Sequence, residues 1–125
     1  MTVVDMEAGL EHLKRGTARH VDAMLIVMEP YYRSLEVGAR VRSFAVELGI
    51  GRIYGIANKV RTAADQTAID EFCHRNGLEL MASIPYDEEV VEAERAGKAP
   101  IDHVPTSPAL AQIERVAQSL LTVGV

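Results

Sequence analysis

The stretch Val3-Val4-Asp5-Met6-Glu7-Ala8-Gly9-Leu10-Glu11-His12-Leu13 decides how the rest of the chain is read. It reads as a short apolar strand ending in a carboxylate, with glycine four residues later. A carboxylate at such a strand end can hold a metal-bound water, and a glycine just beyond lets a backbone N–H approach a terminal phosphate. The bland alternative is a strand-ending Asp that caps the next turn. The chemistry calls for a phosphate-binding loop of the form G-x-x-x-x-G-K-[ST] upstream. No such loop occurs anywhere in the 125 residues. The chain therefore reads as the second half of a nucleotide machine.

Composition sets outer bounds. A length of 125 residues is one domain's worth, and 48% apolar with 25% charged residues is an ordinary globular balance. A net charge of −5 argues against a nucleic-acid surface. The longest strongly apolar run, Ala23 to Met28, is far too short to span a bilayer, so no membrane contact is expected. No signal peptide is visible, and the lone Cys73 rules out an internal disulfide, so a cytoplasmic location is expected.

Strand and helix signals alternate along the chain. Asp22–Met28 is continuously apolar, as a strand covered on both faces should be. Ser34 reads as the N-cap of a helix with Leu35, Val37, Val41, Phe44 and Leu48 inward, and Gly49 as its stop. Arg52–Ala57 is the next strand. Thr62 and Asp65 read as a capping box for a helix burying Ala68, Ile69, Phe72 and Cys73, ended by Asn76-Gly77. Leu78–Ile84 is a further strand, and Asp87 caps a short helix that stops at Gly97. Residues 98–106 read as irregular. Ser107-Pro108 opens a last helix with Leu110, Ile113, Val116, Ala117 and Leu120 as its buried stripe. This alternation predicts an α/β, three-layer fold with a mostly parallel sheet of about four strands, in a single domain over residues 1–125.

The polar residues gather at strand ends: Asp5, Glu29-Pro30, Asn58-Lys59 and Pro85-Tyr86-Asp87. Ligands of open α/β sheets bind along that carboxyl edge. Asn58 carries a side-chain amide that matches an adenine edge with one donor and one acceptor, although Asn-Lys after a strand is also a common polar loop. Pro85 offers a flat apolar wall for a base. The remaining groups read blandly. Glu11, His12, Lys14 and Arg15 fit a solvated helix start, and Glu88, Glu89, Glu92 and Glu94 a solvated acidic face. His12, His20, His74 and His103 have no metal-ligand spacing with Cys73, which reads as a buried thiol.

Taken together, the segments resemble the MinD/ParA-like P-loop ATPases, specifically the carbon monoxide dehydrogenase accessory (CooC-type) nickel-insertion ATPases. The carrying residues are Asp5 through Leu13 with Arg15-Gly-Thr-Ala18, Val21-Asp22, Glu29-Pro30 with Ser34, Leu48-Gly-Ile50, Asn58-Lys-Val60 and Ile84-Pro-Tyr86. The match spans this chain but only the C-terminal half of a family member. The resemblance implies that Asp5 belongs to the Mg²⁺/switch carboxylate and Gly9 to the γ-phosphate sensor. It implies adenine binding by Asn58 with Lys59 alongside, and Pro85 and Tyr86 lining the base. Family members dimerise around ATP and couple its slow hydrolysis to nickel delivery to an Fe–S-cluster enzyme.

The departures matter equally. The Walker loop and the family's Cys-x-Cys metal site are both absent from the sequence. The expectation is a chain that alone neither hydrolyses ATP nor binds nickel, with Mg²⁺ held through Asp5 only when a phosphate loop is supplied. In the family the P-loop strand lies between the strand ending at Asp5 and the strand Asp22–Met28. Its absence predicts that these two strands pair directly, or that a homodimer, a domain swap or the missing N-terminal half covers the gap. A second reading is a non-catalytic interaction or dimerisation module that uses no nucleotide. A flavodoxin- or receiver-like fold is a weaker third, since it wants an acidic cluster that Asp5 and Glu7 only faintly offer.

Overall fold

A computed structural model describes residues 1–6 and 20–123. Three parallel strands, β1 (Met24–Met28), β2 (Ile53–Val60) and β3 (Glu79–Pro85), form one sheet in the order β1-β2-β3. Helix α1 (Tyr32–Glu47) connects β1 to β2, and α2 (Ala63–Arg75) connects β2 to β3. Three more helices follow: α3 (Glu88–Arg95), α4 (Pro100–His103) and α5 (Pro108–Thr122).

Each βαβ unit is assembled by residues whose local chemistry matches its place. Ile26 and Met28 alternate inward along β1 and meet Ala57, Leu78 and the α2 residues Ile69, Phe72 and Cys73 in one buried cluster. Leu35, Ala39 and Val41 of α1 pack against the same cluster, so both helices lie on one face of the sheet. Gly38 lets α1 sit close to β1: a methyl group there would lie 2.6 Å from Met28 Sδ. The capping box of α2 forms as its sequence demands. Thr62 Oγ1 accepts from the Asp65 N–H, while Asp65 Oδ2 accepts from the N–H groups of Thr62 and Arg61. Gly49, Gly77 and Gly97 follow helix ends with positive φ, as chain reversal there requires. Helix α5 packs along β3.

Several expectations are corrected. Residues 1–6 form no strand, and Val3 is 78% exposed, so among the described residues the sheet has three strands rather than about four. Val3-Val4-Asp5 has the composition of a strand but, among the described residues, no strand lies beside it to bond with. It does not pair with β1, whose outer edge is open among the described residues. Val27, on the face turned away from α1 and α2, is 60% exposed, so no second helical layer covers β1 there.

Helix α1 begins earlier than Ser34 suggested. Its N-cap is Tyr31, without a side-chain cap, because Ser34 Oγ accepts the N–H of Glu29 and ties the end of β1 to the helix. Val37 and Ile113 are exposed, and the close contacts fall instead to the small residues Gly38, Ala45 and Ala109. The stretch expected to be irregular contains α4, which starts at Pro100 as its fixed φ favours.

Candidate functional site

Because the three strands are parallel, Glu29-Pro30, Asn58-Lys59 and Pro85-Tyr86-Asp87 emerge on one edge of the sheet. The middle strand is irregular there. The β2–β3 register shifts between Ala57 and Val60, and Lys59 adopts a left-handed backbone (φ 54°). Such a bulge re-aims the side chains beside it. Pairing resumes at Val60 and Pro85, and the Tyr86 N–H donates to the Val60 carbonyl at 3.0 Å.

Asn58 sits half-buried at this bulge, and its amide makes no hydrogen bond to any described residue. One donor group and one acceptor are thus available at the strand end. Lys59 is not free in the same way. Its Nζ lies 2.8 Å from Glu29 Oε1, which closes the edge between β1 and β2. The hydrogen bond and the charge of Glu29 hold the Lys59 ammonium above its ordinary pKa.

Pro85 is the last residue of β3, and the Tyr86 ring follows it. The Arg61 guanidinium lies over that ring, 3.7 Å from its centroid. Tyr86 donates its hydroxyl to Glu88 Oε2 at 3.0 Å. Beyond it, Asp87 Oδ1 accepts from the Glu89 N–H and caps α3, while Asp87 Oδ2 accepts the Ser107 hydroxyl. The Ser107 contact outweighs the opposing effect of desolvation and, with backbone N–H groups adding to it, holds the Asp87 carboxyl below the usual carboxylate range.

Asn58, Lys59, Pro85 and Tyr86 therefore lie at one edge of the sheet. Asp5 does not. The adjacent Met6 packs against Ala45 and Ile50, beside Met24 and Ile53 at the amino ends of β1 and β2. Asp5 is exposed at that opposite end of the sheet, and Gly9 lies outside the described residues, as do Glu11, His12, Lys14 and Arg15. The described residues also contain no group of three His, Cys, Asp or Glu side chains able to hold a metal ion. Cys73 is buried in the core, where burial first and the nearby Asp70 second push its thiol pKa up. An open hollow between β3 and α5, lined by Met81, Ala82, Gln112 and Val116, adds no convergent set of titratable groups.

Arg61 was not singled out by sequence reasoning. Its only sequence signal is its place two residues after Lys59. The Val60–Pro85 pairing is what brings it against Tyr86, and that contact crosses between strands.

No protein-family model matches the chain. An uncharacterized ATP-binding protein of Methanocaldococcus jannaschii, MJ0823, is 41% identical over 116 residues, 93% of this chain and 44% of that protein. The carbon monoxide dehydrogenase accessory protein CooC of Rhodospirillum rubrum is 40% identical over 103 residues, 82% of this chain and 38% of that protein. The chain thus spans less than half the length of these curated relatives. Among solved structures, the MinD cell division protein of Aquifex aeolicus superposes with a TM-score of 0.72 at 20% identity, covering 86% of this chain and 47% of that one. A ParA family ATPase from Chlorobium tepidum gives 0.68 at 25% identity, covering 82% and 43%. No helix among the described residues is long and apolar enough to cross a membrane. Over most of its length the chain is thus similar to CooC and to an archaeal ATP-binding protein, matching less than half of each, and it shares its fold with MinD and a ParA family ATPase.

Proposed function

We propose that this chain is the base-binding portion of a CooC-like ATPase that serves nickel insertion into a carbon monoxide dehydrogenase. The observation that carries the reading is the amide of Asn58 at the β2 bulge, unbonded among the described residues, on the sheet edge that also carries Pro85 and where such folds take ligands. The 40% identity to CooC supports the choice of client class.

In this reading Asn58 orients adenine through paired donor and acceptor contacts. Lys59 braces the strand end through Glu29, and Pro85 closes one side of the base. ATP supplies the phosphoryl chemistry when bound, and Mg²⁺ compensates its charge. Both need a phosphate loop that this sequence lacks. The role of Asp5 and Gly9 at the γ-phosphate therefore requires a second segment that draws Asp5 to the carboxyl edge. Alone, the chain is inactive as an ATPase.

Addition of a polypeptide carrying the corresponding N-terminal half of a CooC protein tests this. Restored ATP hydrolysis, lost again in N58A, is the expected result. Hydrolysis by the 125-residue chain alone overturns the claim of inactivity, and no hydrolysis with any N-terminal half overturns the ATPase reading. The outer edge of β1, open among the described residues, and the exposed Val27 favour a second reading, an interaction module that pairs with another chain, as a homodimer or with a missing half, and uses no nucleotide. Dimerisation indifferent to ATP, without adenosine binding, is its signature.

A further inference from the structure

The Arg61–Tyr86 pair has the construction of a stacking platform. Tyr86 follows Pro85 directly, its backbone N–H is bonded to Val60, and its hydroxyl is bonded to Glu88, so the ring is held at both ends. The Arg61 backbone is held too, since its N–H donates to Asp65 Oδ2 at 2.8 Å. Between these anchors the guanidinium lies 3.7 Å above the ring centroid. Among the described residues no carboxylate forms an ion pair with Arg61. A planar cation is thus held against an aromatic ring on one side, with its charge not neutralised by any described acid.

We propose that Arg61, supported by Tyr86, supplies the stacking surface for a purine base whose edge is read by Asn58. This inference rests on the adenine-binding reading above and changes the assignment within it. Tyr86 was expected to line the base itself, but one face of its ring carries Arg61. Tyr86 becomes a positioning residue, and contact with the base passes to the guanidinium. Arginine suits this role because its planar, weakly hydrated head stacks on π-faces, which a lysine ammonium cannot do. The three residues lie close along the chain and across one strand pair: Asn58 and Arg61 flank the Val60–Pro85 pairing, and Tyr86 comes next on β3.

Adenosine, which needs no phosphate loop, is the probe. Its binding to the intact 125-residue chain is followed by amide chemical-shift changes, with thermal melting as a check on folding. R61K keeps the charge and loses the plane, Y86F keeps the ring and loses the hydroxyl, and Y86L loses the ring. The expected result is adenosine binding weakened about tenfold or more in R61K and Y86L and retained in Y86F, with R61K still folded. N58A weakens binding independently. R61K binding adenosine like the wild type while N58A does not overturns the stacking role and leaves the base-binding reading intact. Absence of adenosine binding to the wild-type chain overturns both.

Discussion

Ser107 and Asp87 bind one another across twenty residues of sequence and thereby cap two helices with a single contact. The Ser107 hydroxyl donates its proton to Asp87 Oδ2, and its oxygen accepts from the N–H groups of Ala109 and Leu110 at the start of α5. Asp87 uses its other oxygen on the Glu89 N–H at the start of α3. The carboxyl edge of β3 is thus joined to the helix that packs along that same strand.

Replacement of Ser107 by alanine removes an N-cap and leaves the position, 1% exposed, without its polar partner. The expected cost is about 1–2 kcal/mol, read as a lower urea midpoint with an unchanged slope. A change in slope instead would place the effect in the unfolded state or in partial unfolding.

The same contact has a pH signature. The Ser107 hydroxyl, with backbone N–H groups, lowers the folded-state pKa of Asp87. A depressed acid stabilises the fold above its unfolded pKa of about 3.9 and loses that contribution as pH falls through the folded value. The difference in urea midpoint between wild type and S107A is therefore expected to hold steady at neutral pH and shrink below pH of about 4. A difference that grows on acidification contradicts the assignment.

Lys59 holds a left-handed backbone, which a β-branched side chain tolerates poorly. K59V should destabilise by about 1–2 kcal/mol. K59G relieves the backbone but loses the exposed Glu29 ion pair, a contact worth about 0–1 kcal/mol, so its net change should be small. Equal losses in the two variants would show that the ion pair, not the backbone, dominates.

Gly38 faces Met28, which is fully buried and cannot swing into solvent. G38A gains helix propensity but drives a methyl into the Met28 thioether, and a net loss of about 1–3 kcal/mol is expected. The smaller M28V should recover part of it in the double variant. Strict additivity of the two losses would refute the clash.

The parts of the fold that could be read directly are those governed by neighbours in sequence. The apolar run before Glu29, the Thr62–Asp65 box, the Ser107-Pro108 start and the glycines at 49, 77 and 97 act within a few residues, and each structure element follows them. What escaped depended on distant partners. Val3-Val4-Asp5 has strand composition, yet a strand exists only beside another strand. Ser34 is a good capping residue whose oxygen is taken up by Glu29. The placement of Asn58, Lys59, Pro85 and Tyr86 at one sheet edge is legible because strand ends are legible. The joining of Arg61 to Tyr86 is not, because it depends on the register of β2 against β3.

The alternation of β1 carries one more consequence, in the exchange of amide hydrogens. The Met24 N–H bonds to the Arg52 carbonyl of the neighbouring chain segment, so by the two-residue period the Ile26 and Met28 N–H groups also point toward β2. Those of Leu25 and Val27 point outward. With the outer edge open, as it is among the described residues, alternate amides of this one strand should exchange with deuterium at very different rates, slow at 26 and 28 and fast at 25 and 27. Any strand that docks on the outer edge, whether from a second copy or from an added half, would slow the fast pair and leave the slow pair unchanged. Two amides thus report on whether the edge is occupied.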